Sequence, residues 1–285
     1  PYRGCEHGCI YCYARPTHEY LGFSAGLDFE SRILVKEDAP ELLRQELMAK
    51  KWKPQTLAMC GVTDAYQPVE RKLEITRRCL GVLAEFRNPV AVITKNALVT
   101  RDIDHLAALA EHGAAAVFLS ITTLDPELAR KMEPRASHPR DRLDAVRQLS
   151  AAGIPTGVMM APIVPAITDH EIAKVLEAAA EAGARTAGYV LMRLPGAVAG
   201  LFEGWLAEHF PDRKEKVLHR IQELRGGKMN DPRFGSRMRG EGVYADQIRA
   251  TFQTFRRKHG LDQLFPSLST AAFRRPGEQM SLFGA

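Results

Sequence analysis

The chain has 285 residues, 45% hydrophobic and 26% charged, the proportions of an ordinary globular protein rather than a disordered or low-complexity one. No apolar run approaches the length of a membrane span, so nothing in the sequence reads as a membrane protein. A formal net charge of +5 leans mildly toward an anionic partner, and charge of this size does not by itself select nucleic acid.

The first element is a loop, Arg3-Gly4-Cys5-Glu6-His7-Gly8-Cys9-Ile10-Tyr11-Cys12-Tyr13, which holds three of the five cysteines in C-x3-C-x2-C spacing. Thiols this close share a ligand or sit in a strained turn. Three thiolates suit a cubane iron–sulfur cluster with one iron left without a protein ligand, and an open coordination position is where metal chemistry takes place. Gly4 and Gly8 supply the backbone freedom that wrapping a bulky cluster requires. A disulfide framework fits poorly with an odd set of five cysteines. A zinc-binding module, with His7 or His18 as fourth ligand, lacks the usual paired C-x2-C spacing.

Beyond the loop, apolar runs alternate with amphipathic stretches. Asp38 is placed to cap a helix with Pro40 in its first turn and Leu42, Leu43 and Leu47 on its apolar side. Thr56–Val62 reads as a buried strand, and residues 71–86 as a helix with Leu73, Ile75, Cys79, Leu80, Leu83 and Phe86 inward. Then come strand Val90–Thr94, helix Asp102–His112, strand Ala116–Ser120, and helix Ser137–Ala152 ending at Gly153. Strand Thr156–Met160 follows, then a helix to Ala182 opened by a capping box of Thr168 and Glu171, then strand Thr186–Met192. Continuous apolar strands joined by helices predict a parallel sheet covered on its outer face.

The expected fold is α/β: a partial (β/α)6 TIM-like barrel over residues 1–199, with its first strand missing before Pro1. A helical C-terminal extension occupies 200–266, with helices near 200–209, 212–225 and 243–259 and a basic, turn-rich loop around Gly226–Gly240. Residues 267–285 show no periodicity and are expected to form a flexible tail. Active sites in such barrels lie at the C-terminal ends of the strands.

Cys5, Cys9 and Cys12, with Tyr11 before the last, resemble the radical S-adenosylmethionine (radical SAM) superfamily. The later runs Val62-Thr63-Asp64-Ala65-Tyr66-Gln67-Pro68, Thr94-Lys95 and Ser120-Ile121-Thr122-Thr123 resemble the group that contains spore photoproduct lyase. The resemblance implies a [4Fe-4S] cluster on the three cysteines and S-adenosyl-L-methionine on its free iron. It also implies reductive cleavage of that cofactor to a 5′-deoxyadenosyl radical, fed by an external one-electron reductant.

By the same resemblance, Tyr11 lies near the adenine. Gly61, Thr63 and Asp64 meet the methionine amino group, although the usual Gly-Gly-Glu type motif is replaced here. Asp64 reads equally well as a turn residue capping its own loop. Lys95, Ser120 and Arg142 meet the carboxylate or ribose, and Arg142 reads as readily as a helix-surface residue. Ala161–Val164 and Leu191–Arg193, including Val164 and Met192, line the adenine. Lyases of this group use a cysteine near Cys60 as hydrogen donor. Here Cys60 is shifted by one residue, which turns a strand side chain to the other face and favours a small core cysteine. Tyr66 is a candidate radical relay or an aromatic at the barrel mouth, while Tyr13, Tyr2 and Arg3 are expected to shield the cluster.

Gln279-Met280-Ser281-Leu282-Phe283 resembles the pentapeptide that docks on the bacterial sliding clamp. Together these readings point to a cytoplasmic radical SAM enzyme acting on DNA, a repair lyase in type. RNA or a peptide is the alternative substrate, and a non-enzymatic zinc module the alternative function.

Overall fold

The structure is a computed structural model and describes residues 1–59, 61–263 and 267–277. The chain opens with a two-residue strand, β1 (Tyr2–Arg3), ahead of the cysteine loop, where no strand was expected. It pairs antiparallel with β2 (Leu34–Val35), so the two form a separate ribbon outside the main sheet. Between them lies the short helix α1 (Leu27–Ser31). Then come α2 (Ala39–Met48), β3 (Leu57–Met59), α3 (Glu70–Leu73), α4 (Ile75–Phe86), β4 (Val90–Thr94), α5 (Ile103–Ala110), β5 (Ala115–Ser120) and α6 (Pro126–Met132). The series continues with α7 (Pro139–Ala151), β6 (Thr156–Ile163), α8 (Ile172–Glu181), β7 (Thr186–Leu191), α9 (Val198–His209), α10 (Lys214–Glu223) and α11 (Val243–Lys258).

Strands β3 to β7 form one parallel sheet in chain order, and helices cover its outer face. This is an open, partial TIM barrel. Sequential parallel order places every strand's C-terminal end on one rim. The core lies between sheet and helices, where Val90, Val92, Val117, Leu119, Val158 and Met160 pack against Leu80, Leu83, Leu106, Leu149 and Val175.

Several local expectations are corrected. The first strand of the sheet is three residues long and only half-buried, because β3 is an edge strand with a neighbour on one side. Asp38 stands at the start of α2, but its side chain makes no capping bond. The Thr168/Glu171 box does not form. The Thr168 hydroxyl accepts from the Val164 amide at 2.9 Å, and Glu171 accepts from the Thr123 hydroxyl at 2.6 Å and the Leu124 amide at 2.8 Å. A tertiary partner outbids the local motif because it satisfies both carboxylate oxygens. Helix α6 was not foreseen; Asp125 caps it by accepting from the amides of Glu127 and Leu128, with Pro126 in the first turn.

The three helices of the extension stand where expected. Helix α11 crosses to pack on α8 and on Tyr189 of β7. Residues 267–277, expected as part of the tail, lie along the outer helices. The Ser269 amide donates to the Gly113 carbonyl, the Arg274 amide donates to the Phe86 carbonyl, and Phe273 pairs with the Phe86 ring at 6.3 Å. Hydrophobic periodicity misses this segment because it docks through single anchors rather than as a helix or strand. Cys60 and the pentapeptide Gln279–Phe283 lie outside the described residues. Among the described residues no helix is long and apolar enough to cross a membrane.

Candidate active site

One cavity of about 460 Å³ opens at the C-terminal rim of the sheet, a volume typical of small-molecule sites. Cys5, Cys9, Tyr11 and Cys12 line one wall, and Gly61, Thr63, Asp64, Lys95 and Ser120 line the strand ends. Met159, Pro162, Leu191 and Met192 supply apolar surface. Thus the three cysteines and most of the expected cofactor contacts share one space.

The cysteine loop is held by its neighbours rather than by regular structure. Gly4 and Gly8 have φ of +83° and +70°, a region that only glycine enters without strain. A Cβ on Gly4 would lie 3.0 Å from the Phe29 carbonyl oxygen and 2.9 Å from the His18 ring. The Gly4 carbonyl accepts from the Thr63 hydroxyl at 2.5 Å and from Gln67 Nε2 at 3.2 Å. Gln67 Oε1 accepts from the Glu6 amide at 2.9 Å, so the segment after β3 grips the loop at two points. Arg15 is buried beneath it and donates to the carbonyls of Cys9, Ala25 and Gly26 and to Glu30.

The donor set fits a cluster. Burial pushes the Cys5 thiol up to about 12, with Asp64 and Cys12 adding to the rise, and raises Cys9 and Cys12 in the same direction. Two buried thiols and a half-buried third are costly as thiolates unless an electropositive core sits among them. Among the described residues no three His, Cys, Asp or Glu side chains close on the position of a single ion. The three cysteines line one cavity, where a polynuclear core would take one thiolate per iron. His18, considered as a zinc ligand, is turned away: a ring nitrogen meets the Arg32 carbonyl at 3.0 Å.

Asp64 combines both of its sequence readings. Its carboxylate lines the cavity, and it also accepts from the Tyr66 amide at 2.9 Å, the Thr94 hydroxyl at 2.7 Å and the Lys95 amide at 2.8 Å. His7 Nδ1 lies 3.5 Å from it and the other ring nitrogen 3.3 Å from Asn96 Nδ2, so a second loop residue is fixed to the strand ends. Burial lowers the His7 pKa, with Asp64 opposing.

Behind the wall lies a buried charged network that sequence reasoning missed. The Tyr11 hydroxyl donates to Glu133, which also accepts from the Thr122 hydroxyl at 2.8 Å and from Arg142. Burial alone would raise the Glu133 pKa, but the charges of Arg142 and Lys95 reverse this and bring it down to about 2. Lys95 Nζ stands 5.8 Å from the centre of the Tyr11 ring. Burial would lower its pKa, yet Cys9 and Glu133 raise it on balance.

Three expected residues lie elsewhere. Arg142 is not among the cavity-lining residues; its guanidinium is spent on Glu133 and on the carbonyls of Ser120 at 2.9 Å and Ser137 at 2.7 Å. Val164 is buried in a second apolar cluster beside the cavity. Tyr66 is wholly buried in the main core and reaches neither the cavity nor the barrel mouth. Of the expected shielding residues, Tyr13 lines the cavity, whereas Tyr2 packs with Ile75 and Cys79 and donates its hydroxyl to Glu70.

The extension closes the site, as no local motif indicated. Arg225, 3% exposed, donates to the carbonyls of Leu191 at 2.7 Å, Met192 at 2.9 and 3.2 Å, Arg237 at 2.8 Å and Ser236 at 3.2 Å. Arg237 and Met238 therefore lie against the cavity beside the end of β7.

The radical SAM superfamily model matches residues 1–179. The chain belongs to the radical SAM superfamily. Superfamily membership implies an enzyme with a [4Fe-4S] cluster and S-adenosylmethionine, for which the cysteine wall and the strand ends are the fitting residues. An uncharacterised protein of Mycobacterium tuberculosis is 36% identical over 241 residues, covering 84% of this chain and 70% of the relative. An uncharacterised protein of Methanocaldococcus jannaschii is 30% identical over 170 residues, 60% of this chain and 61% of that protein. Among solved structures, spore photoproduct lyase complexed with dinucleoside spore photoproduct matches with TM-score 0.61 at 16% identity, covering 90% of this chain and 72% of that one. A variant of that lyase with bound S-adenosylmethionine and the same ligand matches with TM-score 0.62 at 17% identity, again over 90% and 72% of the two chains. At such identity the likeness is one of fold.

Proposed function

We propose that this radical SAM enzyme acts on DNA, as a repair lyase in type. The observation that carries the proposal is the shared cavity. Three thiols face a set of polar strand ends and an apolar wall, the divided surface that an amino acid joined to a nucleoside needs. A [4Fe-4S] cluster on Cys5, Cys9 and Cys12, with S-adenosylmethionine beside it, would supply one-electron reductive cleavage there.

The chain's own residues position and enclose. Thr63 and Gln67 hold the cysteine loop against the end of β3. Asp64, Lys95 and Ser120 offer polar contacts for the amino-acid end of the cofactor, and Tyr11, Leu191, Met192 and Pro162 face its nucleoside end. Tyr13 and Arg193, with the guanidinium 4.8 Å from the ring centre, cover the solvent side. The DNA assignment draws on arginines at the cavity mouth and on solved lyase structures of the same fold whose ligand is a dinucleoside photoproduct. Cys60 as hydrogen donor and the docking of Gln279, Met280, Ser281, Leu282 and Phe283 on a sliding clamp belong to the same proposal.

Anaerobic reconstitution with dithionite and S-adenosylmethionine, followed by product analysis on damaged and undamaged DNA, tests it. Formation of 5′-deoxyadenosine with a changed DNA product supports the reading. Turnover of an RNA or peptide substrate in place of DNA rejects the substrate class. A clamp pull-down lost on Leu282→Ala with Phe283→Ala tests the partner.

A further inference from the structure

A second cavity, of about 240 Å³, lies beside the first on the edge of the sheet. Its floor is Ala187, Gly188 and Tyr189 of β7, and its walls carry Arg239, Arg249 and Arg256. Three features mark it as a built anion site. The Tyr189 side chain is 3% exposed, and among the described residues its buried hydroxyl has no hydrogen-bond partner. An orphaned hydroxyl in a polar pocket is costly unless a ligand or water completes it. Arg239 stacks over the Tyr189 ring at 4.4 Å, and the nearby carboxylates Asp231 and Glu241 pair with Arg233. Among the described residues the one salt bridge of Arg249 is to exposed Asp246, at 2.8 Å. Guanidinium forks plus a phenolic donor match the oxygens of a phosphate group.

The pocket and the reaction cavity are lined by adjacent stretches of the same strand. Residues 187–189 floor the pocket, and 190–192 line the cavity. The centres of the two stretches are about 10 Å apart at the rise of a strand. The segment Arg237-Met238-Arg239 bridges them: Met238 accepts from the Leu191 amide at 2.9 Å, Arg237 faces the cavity and Arg239 faces the second pocket. Arg193 lies on the same rim and feels the Arg237 charge. Beside them Phe234, 87% exposed, is stacked with Arg237 at 4.0 Å, a platform suited to a nucleobase. A lone phosphate needs no second basic rim and no aromatic platform. A nucleic-acid strand, with several phosphates and stacking bases, uses the pocket, the rim and the platform.

Resting on the DNA reading above, we infer that Arg239, Arg249, Arg256 and the Tyr189 hydroxyl form a subsite for a backbone phosphate of DNA whose reacting nucleotide lies in the cavity. Arg237 and Arg193 hold the strand between the two. The subsite fixes how far the reacting base stands from the cavity mouth.

The test is fluorescence anisotropy of the anaerobically reconstituted full chain with a fluorescein-labelled dodecanucleotide, as DNA and as RNA, at a series of KCl concentrations. Arg239→Ala with Arg249→Ala is expected to weaken DNA binding about tenfold or more at low salt. The slope of log K against log salt should shrink by about 0.7 to 0.9, the share of the one phosphate contact that the two arginines make together. Arg239→Lys with Arg249→Lys should recover most of that slope, and Tyr189→Phe, which keeps the ring, should weaken binding about threefold. Formation of 5′-deoxyadenosine without DNA, measured on the same samples, reports cofactor loading and should not change. If the native chain binds DNA and the alanine pair binds equally with an unchanged slope, the subsite is wrong and the DNA reading stands. If the native chain binds no DNA, or RNA only, both fall.

Discussion

The Tyr11 hydroxyl donates to the Glu133 carboxylate, which ties the aromatic of the cysteine loop to the end of α6 behind the cavity wall. Glu133 in turn faces Arg142, and both are at most 2% exposed. The position of Tyr11, and with it the wall between Cys9 and Cys12, therefore depends on an ion pair that never touches the cavity.

Removing one partner of a buried pair leaves the other uncompensated, which costs about 3–5 kcal/mol. Glu133→Ala should lose stability on that scale, and Glu133→Gln less, because the amide still accepts from Tyr11. Urea unfolding of the apoprotein measures both. The sign of the pH dependence follows from the lowered pKa. The Glu133 contribution is complete above its ordinary value of 4.5 and is lost as pH falls toward about 2. The stability gap between native and Gln chains should thus be constant from pH 7 to about 5 and narrow below that. A gap that widens on acidification contradicts the assignment.

The sequence disclosed the barrel and the strand-end residues but not this network, for a physical reason. Cys5, Cys9 and Cys12 announce themselves by spacing, and Thr63, Lys95, Ser120 and Met192 by following apolar runs whose ends must share a rim. Glu133, Arg142 and Arg225 look like ordinary charges in or near helices, because their partners stand as far away as 34 residues for Arg225 and 122 for Glu133. Their burial is a property of packing, which no local pattern encodes. Thr168 and Glu171 show the converse: a correct local motif whose groups are claimed by tertiary partners.

Cys9→Ala should abolish both the cluster and cofactor cleavage. Cys9 is buried in the cavity wall between Cys5 and Cys12, and no other cysteine lines the cavity among the described residues. Iron and sulfide analysis with 5′-deoxyadenosine measurement checks this. Cys79→Ala serves as the contrast: Cys79 is packed with Tyr2 and Ile75 in a separate apolar cluster, so iron and sulfide content should match the native chain. Retained 5′-deoxyadenosine formation in the Cys9 variant contradicts the site.

Gly4→Ala should damage the loop without touching a thiol. Its φ of +83° costs an alanine about 1–2 kcal/mol. The added methyl group also meets the Phe29 carbonyl oxygen at 3.0 Å, a backbone atom that cannot swing aside. The strain falls on the residue whose carbonyl receives Thr63 and Gln67. Lower iron per chain after reconstitution, with a circular dichroism spectrum close to native, is the expected pair of results.

Arg225→Met should separate the rim of the cavity from the fold. The methionine keeps much of the apolar stem but none of the donors that reach the carbonyls of Leu191, Met192, Ser236 and Arg237. Each buried carbonyl left unpaired costs about 1–3 kcal/mol, so the segment can relieve the penalty by leaving its seat and meeting water. The segment is then tied to β7 and the residues after it by the Leu191–Met238 backbone bond at 2.9 Å, the Leu194–Met229 backbone bond at 3.1 Å and the Arg239–Tyr189 stack. Limited proteolysis should therefore cut the variant within residues 226–240 faster than the native chain, while the barrel core stays protected. Arg237 is carried by the same segment, so cofactor affinity and DNA affinity should weaken together in this variant. Loss of protection spread over the whole chain would instead show that Arg225 supports the barrel itself.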